Sequence, residues 1–202
     1  EAEEVFLRVL SIRERMLGPW HSLTAHSLIS LGMVYYGMGR HDRAERVFAE
    51  VLAVAIEMYG NQHMLVADAR ANLGAILMAQ GRLDDATTTY LQAIESYTAM
   101  LGQEHPTIAL LWGNVGLILH RIGDIPGAIE ALQRSIEIDR HHYGDVHHAI
   151  ATHCMALGNV LRDANDAAKA MEYHQQAFDL RCRIFDPDHI ETANAATTLA
   201  RS

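Results

Sequence analysis

The sequence predicts an all-α fold, a solenoid of antiparallel helix pairs, and three observations support this prediction. The chain has 202 residues, of which 50% are hydrophobic and four are proline, and this composition favours helices over strands. Similar residues recur every 42 positions along the chain, as in repeat proteins. Each repeat contains two stretches with the apolar spacing of amphipathic helices. We therefore expect about four full helix pairs and one unpaired helix at each end.

Several columns of identical or similar residues define the repeat. An alanine opens the second helix of each repeat, at Ala2, Ala44, Ala86, Ala128 and Ala170. A histidine lies in the loop before each first helix, at His21, His63, His105, His147 and His189. A small residue lies inside each first helix, at Gly32, Gly74, Gly116, Gly158 and Ala200. So many aligned columns do not arise by chance, and we expect residues 1–202 to form a single repeat domain.

The period also predicts where the helices lie. The first helix of each pair, helix A, is predicted near 23–38, 65–80, 107–122 and 149–164. The second, helix B, is predicted near 41–59, 83–101, 125–143 and 167–185. A helix B near 1–17 and a helix A near 191–201 lack their partners, so we expect a fragment of a longer protein. Because the first helix carries Val5, Phe6, Val9 and Leu10, we also expect self-association through uncapped solenoid ends.

Two sets of recurring glycines make structural predictions. Glycine inside a helix costs roughly 1 kcal/mol relative to alanine, so the glycine within each helix A predicts that a paired helix approaches closely there. Another glycine ends each of the first three A helices, at Gly39, Gly81 and Gly123. This position suits a left-handed C-terminal cap, for which the fourth residue, Asn165, is the next best choice.

These columns resemble the tetratricopeptide repeat. Its signature of small and large residues is matched in one repeat by Gly32, Tyr35, Ala44, Phe48 and Val51, and in the next by Gly74, Leu77, Ala86, Tyr90 and Ala93. The 42-residue length and the Leu-Gly-Gln-Glu-His-Pro loop at 101–106 are similar to the kinesin light chain subclass. The resemblance implies a right-handed superhelical solenoid that serves as a protein-interaction scaffold.

The resemblance also implies that the A helices line a concave groove that holds a peptide. Carried over by repeat position, the peptide-binding candidates are His26, Met33, Tyr36, Asp68, Asn72, Met78, Asn114, Leu117, His120, Arg121, Met155, Asn159 and Arg162. The amides of Asn72 and Asn114 can both donate to and accept from a peptide backbone. Arg121 and Arg162 can hold a carboxylate. Burial between helices is the alternative role for the methionines and the asparagines.

Catalytic and metal-binding roles find little support in the sequence. Equivalent histidines of stacked repeats lie roughly 10 Å apart, whereas ligands of one zinc ion lie within roughly 4 Å of each other. We expect these histidines to fix the loops that enter each helix A. The denser histidines of the segment 141–153 leave a chance transition-metal site open. We find no catalytic motif and predict no enzyme activity, no metal and no cofactor, and we expect Cys154 and Cys182 to be small core residues.

Charge and composition narrow the classes of partner that we expect this chain to bind. A formal net charge of −9 disfavours nucleic acid and anionic membranes, and we see no transmembrane segment. The two cysteines fit neither a zinc pair nor a disulfide framework, which favours a reducing, cytoplasmic setting. The leading hypothesis is a protein-binding scaffold whose ligand is a peptide or a partner protein. The alternatives are a sensor or autoinhibitory arm of a signalling protein whose effector enzyme lies outside this chain, and a metal or enzyme site at 141–153.

Overall fold

The computed structural model describes residues 2–18, 21–185 and 189–200, and these residues form ten α-helices and no strand. The helices are α1 Ala2–Leu17, α2 Ser22–Gly37, α3 His41–Tyr59, α4 Met64–Ala79, α5 Leu83–Leu101, α6 Pro106–Ile122, α7 Ile125–Tyr143, α8 His148–Asp163, α9 Ala167–Ile184 and α10 Ile190–Leu199. These bounds agree closely with those predicted from the period. Helices α2, α4, α6, α8 and α10 are therefore A helices, and the others are B helices.

Contacts divide the chain into two compact units. Unit 1 comprises Glu1–Met100 and unit 2 comprises Leu101–Ser202. In unit 1, one core cluster joins α1, α2, α3 and α4 through residues that include Leu10, Tyr35, Phe48 and Ile76. In unit 2, the core joins α7, α8 and α9 through residues such as Leu132, Leu157 and Leu180, with Leu119 of α6 packed against it. Each unit thus buries its own apolar residues.

The first helix is less exposed than the sequence suggested. Phe6 packs against the core of unit 1, and Leu10 belongs to that core. Of the four residues on which the expected self-association was based, Leu10 is therefore buried and Phe6 is partly buried within unit 1. The apolar residues of α1 that do face solvent include Val5, Ile12 and Met16.

The recurring glycines of the A helices lie against large side chains of the paired B helices, as predicted for Gly32, Gly74, Gly116 and Gly158. A Cβ atom at Gly32 would lie 2.6 Å from the ring of Phe48, and one at Gly158 would lie 2.4 Å from the ring of His174. The alanines that open the B helices are fully buried at Ala44, Ala86, Ala128 and Ala170. Small residues at both positions allow the two helices of a pair to approach closely.

The turns between paired helices also confirm a prediction. The backbone at Gly39, Gly81 and Gly123 has φ values of 70°, 79° and 94°. Asn165 has a φ of 62° and is the one residue other than glycine with a positive φ in the described part of the chain. Asparagine tolerates this left-handed conformation better than most side chains, so the fourth repeat keeps the turn without glycine.

The five loop histidines are the N-caps of the A helices. In each, Nδ1 accepts a hydrogen bond of 3.2–3.3 Å from the backbone N–H two residues later. An accepting nitrogen carries no hydrogen, so the capping histidine is neutral and protonated on Nε2. Three of the rings also stack on an aromatic side chain four residues earlier, in the pairs Tyr59–His63, Tyr143–His147 and Phe185–His189. The predicted role in fixing these loops is confirmed.

Candidate binding face

Two A helices of unit 2 bring a set of the groove candidates onto one surface. Helix α6 carries Leu110, Asn114, Leu117 and Arg121, and helix α8 carries Thr152, Met155, Asn159 and Arg162. Their spacing of three or four residues places each set along one stripe of its helix. Leu110 and Thr152 line the same cavity at one end, and His120 Nε2 lies 3.0 Å from Asp163 Oδ2 at the other. The two stripes therefore lie side by side, and we call this surface the α6–α8 face.

Apolar and polar groups alternate along the α6–α8 face. Leu110 is 57% exposed and Leu117 is 41% exposed. Asn114 and Asn159 are half-buried, and Arg121 is exposed. Arg121 makes no ion pair with any residue that the structure describes. The face therefore offers leucine side chains for apolar contact and a guanidinium for a carboxylate.

Other candidates of unit 2 have partners within the chain. Met155 packs against the core cluster of this unit, so part of its side chain is structural. His120 contacts Asp163, and Nε of Arg162 lies 3.5 Å from Oδ1 of the same carboxylate. The carboxylate of Asp163 is thus shared between two groups that were predicted to contact a ligand.

In unit 1 the candidates lie on α2 and α4, with varied exposure. Met33 is 47% exposed, and Met78 is half-buried. Tyr36 packs in part against the core. His26 is exposed, and its Nδ1 lies 2.7 Å from the carbonyl oxygen of Ser22 in its own helix. Met33 is the candidate of α2 with the most apolar surface available to a ligand.

Asp68 and Asn72 use their polar groups within unit 1. The Tyr97 hydroxyl donates a hydrogen bond to the Asp68 carboxylate, and burial followed by this hydrogen bond raises the pKa of Tyr97. The side-chain amide of Asn72 donates to the backbone oxygen of Asp68 at 2.8 Å. Asn72 is therefore held by its own helix, and Asp68 has a fixed orientation.

A cavity of about 400 Å³ lies at the N-terminal end of the α6–α8 face. Its lining includes Leu110 of α6, Asp139 and Tyr143 of α7, and Thr152 and His153 of α8. The cavity thus joins an apolar wall to titratable groups from two further elements of unit 2.

The titratable groups of this cavity form a buried hydrogen-bonded cluster. Asp139 is 2% exposed and His153 is 8% exposed. Nδ1 of His153 lies 2.9 Å from Asp139 Oδ2 and 2.7 Å from Ser135 Oγ. The Ser135 hydroxyl donates its hydrogen to the Ala109 carbonyl at 2.8 Å, so it accepts from His153. A Cβ atom on Gly113 would lie 2.5 Å from His153 Nε2, and this glycine therefore makes room for the ring.

Sequence reasoning missed four residues of this surface. Leu110 and Thr152 lie 42 and 84 positions after Asp68, which was a groove candidate, so the period could have identified them. Asp139 and His153 gave no such signal because their columns vary from repeat to repeat. The earlier repeats hold Arg13, Ala55 and Tyr97 in the column of Asp139, and Ser27, Ala69 and Leu111 in the column of His153. Their proximity becomes visible only when α7 and α8 pack together.

The dense histidines of the segment 141–153 have separate environments. His141 Nδ1 lies 3.6 Å from Glu104, and His148 meets the ring of His147 edge to face. Burial, followed by the neighbouring His148, lowers the pKa of His147. Within the described ranges, no group of three His, Cys, Asp or Glu side chains is placed to hold a metal ion.

The two cysteines differ from each other in exposure. Cys154 is buried, and burial raises the pKa of its thiol to about 11. Cys182 is exposed, so its assignment as a core residue was wrong. Three of the four equivalent positions in the other repeats hold polar residues, namely Glu14, Thr98 and Arg140, which already indicates a column that faces solvent.

Among the helices that the structure describes, none is long and apolar enough to cross a membrane.

Comparison with protein families gives a match over most of the chain. One tetratricopeptide repeat profile matches residues 1–57 and 64–141, and a second tetratricopeptide repeat profile matches residues 150–191. A comparison with curated protein sequences finds no significant match.

Three solved structures with the same fold share 17% or 18% of their sequence with this chain. The crystal structure of BtubC (BKLC) from P. vanneervenii has a TM-score of 0.86 at 17% identity, covering 99% of this chain and 81% of that one. A variant of the nearly identical TPR-like repeats from Podosopora anserina, described as a kinesin light chain, has a TM-score of 0.78 at 18% identity. The match covers 90% of this chain and 86% of that one. A second structure of these repeats has a TM-score of 0.76 at 17% identity, and the match covers 91% of this chain and 87% of that one. At this identity the likeness shows the fold alone.

Proposed function

Because the chain belongs to the tetratricopeptide repeat family, whose repeats are generally protein-interaction scaffolds, we propose that it binds a segment of another protein along the α6–α8 face. The finding that supports this proposal most is the exposure of Leu110 and Leu117 on one stripe of α6. Single exposed leucines are ordinary on protein surfaces. Here two exposed leucines lie on one stripe, which also carries Asn114 and Arg121. The stripe therefore combines apolar area with hydrogen-bonding groups, as the centre of many interfaces does.

The length of the stripe sets the length of the bound segment. Leu110 and Arg121 are 11 residues apart, which corresponds to about 16 Å along a helix. An extended chain spans that distance with about five residues. We therefore expect a short extended segment whose apolar side chains contact the leucines and whose carboxylate pairs with Arg121.

The peptide-binding role of the unit 1 candidates is a prediction that fewer structural observations support. Met33 offers an exposed thioether side chain that adapts to apolar partners. Asp68 and Asn72 are engaged within the unit, so we expect smaller losses of affinity from their substitution than from changes on the α6–α8 face.

The proposal is tested by selecting binders from a random peptide library displayed on phage, with the wild-type chain as bait. The affinity of the strongest peptides is then measured for Leu117→Glu and for Arg121→Glu. The matched control is Met171→Glu, because Met171 of α9 is 53% exposed and lies on a B helix. Circular dichroism of each variant verifies that the fold is kept.

We expect Leu117→Glu and Arg121→Glu to weaken the selected peptides at least about tenfold, or about 1.4 kcal/mol, and Met171→Glu to leave them unchanged. Peptides that bind all three variants as strongly as the wild type would place the binding surface elsewhere and overturn the proposal.

A further inference from the structure

We propose that a polar cleft of unit 1, formed by Arg70 of α4 together with α5 and the loop before α4, binds the carboxylate of an acidic side chain. The cleft has a volume of about 370 Å³, and its lining includes Asn61, Gln62, Arg70, Gln92, Glu95 and Ser96. We call it the Arg70 cleft. All of these residues belong to unit 1, so the inference does not depend on ligand binding at the α6–α8 face of unit 2.

The Arg70 cleft replaces an apolar contact that other repeats make at the same place. The column of Arg70 holds Leu28, Trp112, Cys154 and Ala196, and the column of Ser96 holds Ile12, Val54, Ile138 and Leu180. Leu28 and Val54 line one apolar pocket, and Cys154 and Leu180 belong to the core of unit 2. The repeat formed by α4 and α5 alone has polar residues in both columns, and departures of this kind from the folding pattern are expected at functional sites.

The exchange places a positive charge in the cleft without an anion beside it. Arg70 is half-buried, and it donates from Nη1 to Ser96 Oγ at 2.8 Å and from Nη2 to Asn61 Oδ1 at 2.6 Å. Both acceptors are neutral, and Arg70 makes no ion pair with any residue that the structure describes. A guanidinium that is partly withdrawn from water is stabilised more by a charged acceptor than by neutral ones.

The cleft also has hydrogen-bond donors available for a ligand. A guanidinium carries five N–H donors, and the bonds to Ser96 and Asn61 use two of those of Arg70. The side chains of Gln62 and Gln92 are exposed and line the same cleft. A carboxylate can therefore accept from Arg70 through both of its oxygens and from a neighbouring side-chain amide.

Glu95 favours a carboxylate over a phosphate as the ligand. Its side chain is exposed, and it lines the cleft, so its negative charge opposes any anion that enters. Arg70 is the one cation among the residues described as lining the cleft. A phosphate group carries a charge near −2 at neutral pH, and Glu95 repels it more strongly than it repels a singly charged carboxylate.

The Arg70 cleft lies apart from the groove candidates of α4. Asp68 and Asn72 are each two residues from Arg70, which corresponds to about 200° around a helix. The cleft is therefore a binding site on a different side of α4 from the peptide-binding candidates.

The chain itself provides a matched variant for the test. The double variant Arg70→Leu/Ser96→Val copies Leu28 and Val54 of the preceding repeat, a pair that this fold already accommodates. Glu95→Gln is the second variant, and it removes the opposing charge at an exposed position. Circular dichroism verifies that both variants keep the helices.

The experiment is a titration of the isotope-labelled chain at constant ionic strength, followed by NMR. The reporters are the Arg70 Nε–H signal, which is assigned by its loss in the double variant, and the side-chain amide signals of Gln62 and Gln92, which both proteins retain. The probes are N-acetyl-glutamate methylamide, its uncharged analogue N-acetyl-glutamine methylamide, and inorganic phosphate.

We expect the glutamate probe to shift the Arg70 and Gln92 signals in a saturable way at millimolar concentration, and the glutamine probe to leave them unchanged. Glu95→Gln should tighten the binding of the glutamate probe by about threefold, because a like charge is removed. In the double variant the glutamate probe should shift neither glutamine amide.

Four results would each overturn the proposal. They are an equal response to the glutamate and glutamine probes, tighter binding of phosphate than of the glutamate probe, unchanged binding in the double variant, and no saturable response in the wild type. The last result would leave Arg70 with the purely structural role of holding Asn61.

Discussion

Five histidines of this chain act as helix N-caps, a role that Ser, Thr, Asp and Asn fill most often. The imidazole does so by accepting through Nδ1, and three of the rings gain a stacking contact as well. Because the cap requires a neutral ring, the ends of the A helices depend on the protonation state of these side chains.

We predict that His63→Ala lowers the free energy of unfolding by about 1 kcal/mol, the usual cost of a lost N-cap. The change removes the bond to the Leu65 N–H and the stacking on Tyr59. Urea denaturation measures the change in the free energy of unfolding. His63→Asn restores an accepting side chain and should recover part of the loss, whereas equal stability of the alanine variant and the wild type would contradict the capping role.

His174 occupies a core position that holds Phe48, Tyr90 and Leu132 in the other repeats. It is fully buried, and burial, followed by the positive charge of Arg162, lowers its pKa below the ordinary value of 6.5. A lowered pKa in the folded state means that the unfolded state binds the proton more readily. This contribution to stability is therefore complete above pH 6.5 and is lost as the pH falls through the folded pKa.

We predict that the wild type loses stability as the pH falls below 6.5, and that His174→Phe reduces this dependence. Thermal unfolding at a series of pH values measures both. Part of the dependence should remain, because His147 also has a lowered pKa. Identical pH profiles for the two proteins would show that His174 is not the source.

Among the elements, the helix pairs are held together by the contact between a glycine of helix A and a large residue of helix B. A Cβ atom at Gly74 would lie 3.0 Å from the ring of Tyr90. Gly37 is also helical, but a Cβ atom there would have no neighbour within 4 Å. Comparing alanine substitutions at Gly74 and Gly37 therefore separates the effect of packing on stability from the effect of helix propensity.

We predict that Gly74→Ala lowers the free energy of unfolding by about 1–3 kcal/mol through overpacking. Gly37→Ala should instead raise it, by up to about 1 kcal/mol, because alanine favours the helix. Denaturation of the two variants under one set of conditions measures the contrast. A stabilising Gly74→Ala would show that the helices can separate without cost.

Much of this element-level structure could be predicted because it repeats. The recurrence of His63 and Gly74 at 42-residue spacing locates helix starts and close contacts, and Asn165 could be assigned to the turn by its column alone. Features found in a single repeat could not be predicted in this way. Tyr97 holds Asp68, and Asp139 meets His153, through packing that no column of the repeat indicates.

For the whole molecule, the solvent-facing apolar residues of α1, including Val5, Ile12 and Met16, bear on self-association. We predict that the chain associates as its concentration rises, and that Met16→Glu reduces this association. Light scattering over a range of concentrations measures it. A wild-type chain that stays monomeric throughout would contradict the prediction.

The candidate site was predicted in part. The stripe positions on α6 and α8 follow from the repeat, and Leu117 and Arg121 are exposed on one face together with Leu110. The internal bonds of Asn72 and His120 could not be foreseen, because they depend on which neighbouring side chain lies within reach. Sequence periodicity thus predicts the surface, and packing decides which of its groups remain available.

The most direct test of the central claim is photo-crosslinking of a selected peptide to the chain. A benzophenone amino acid replaces Leu117 on the α6–α8 face in one variant and Met171 on α9 in the other, and mass spectrometry identifies the crosslinked product. We predict crosslinking from position 117 and none from position 171. Crosslinking from position 171 alone, or equally from both positions, would contradict the claim that the α6–α8 face is the binding surface.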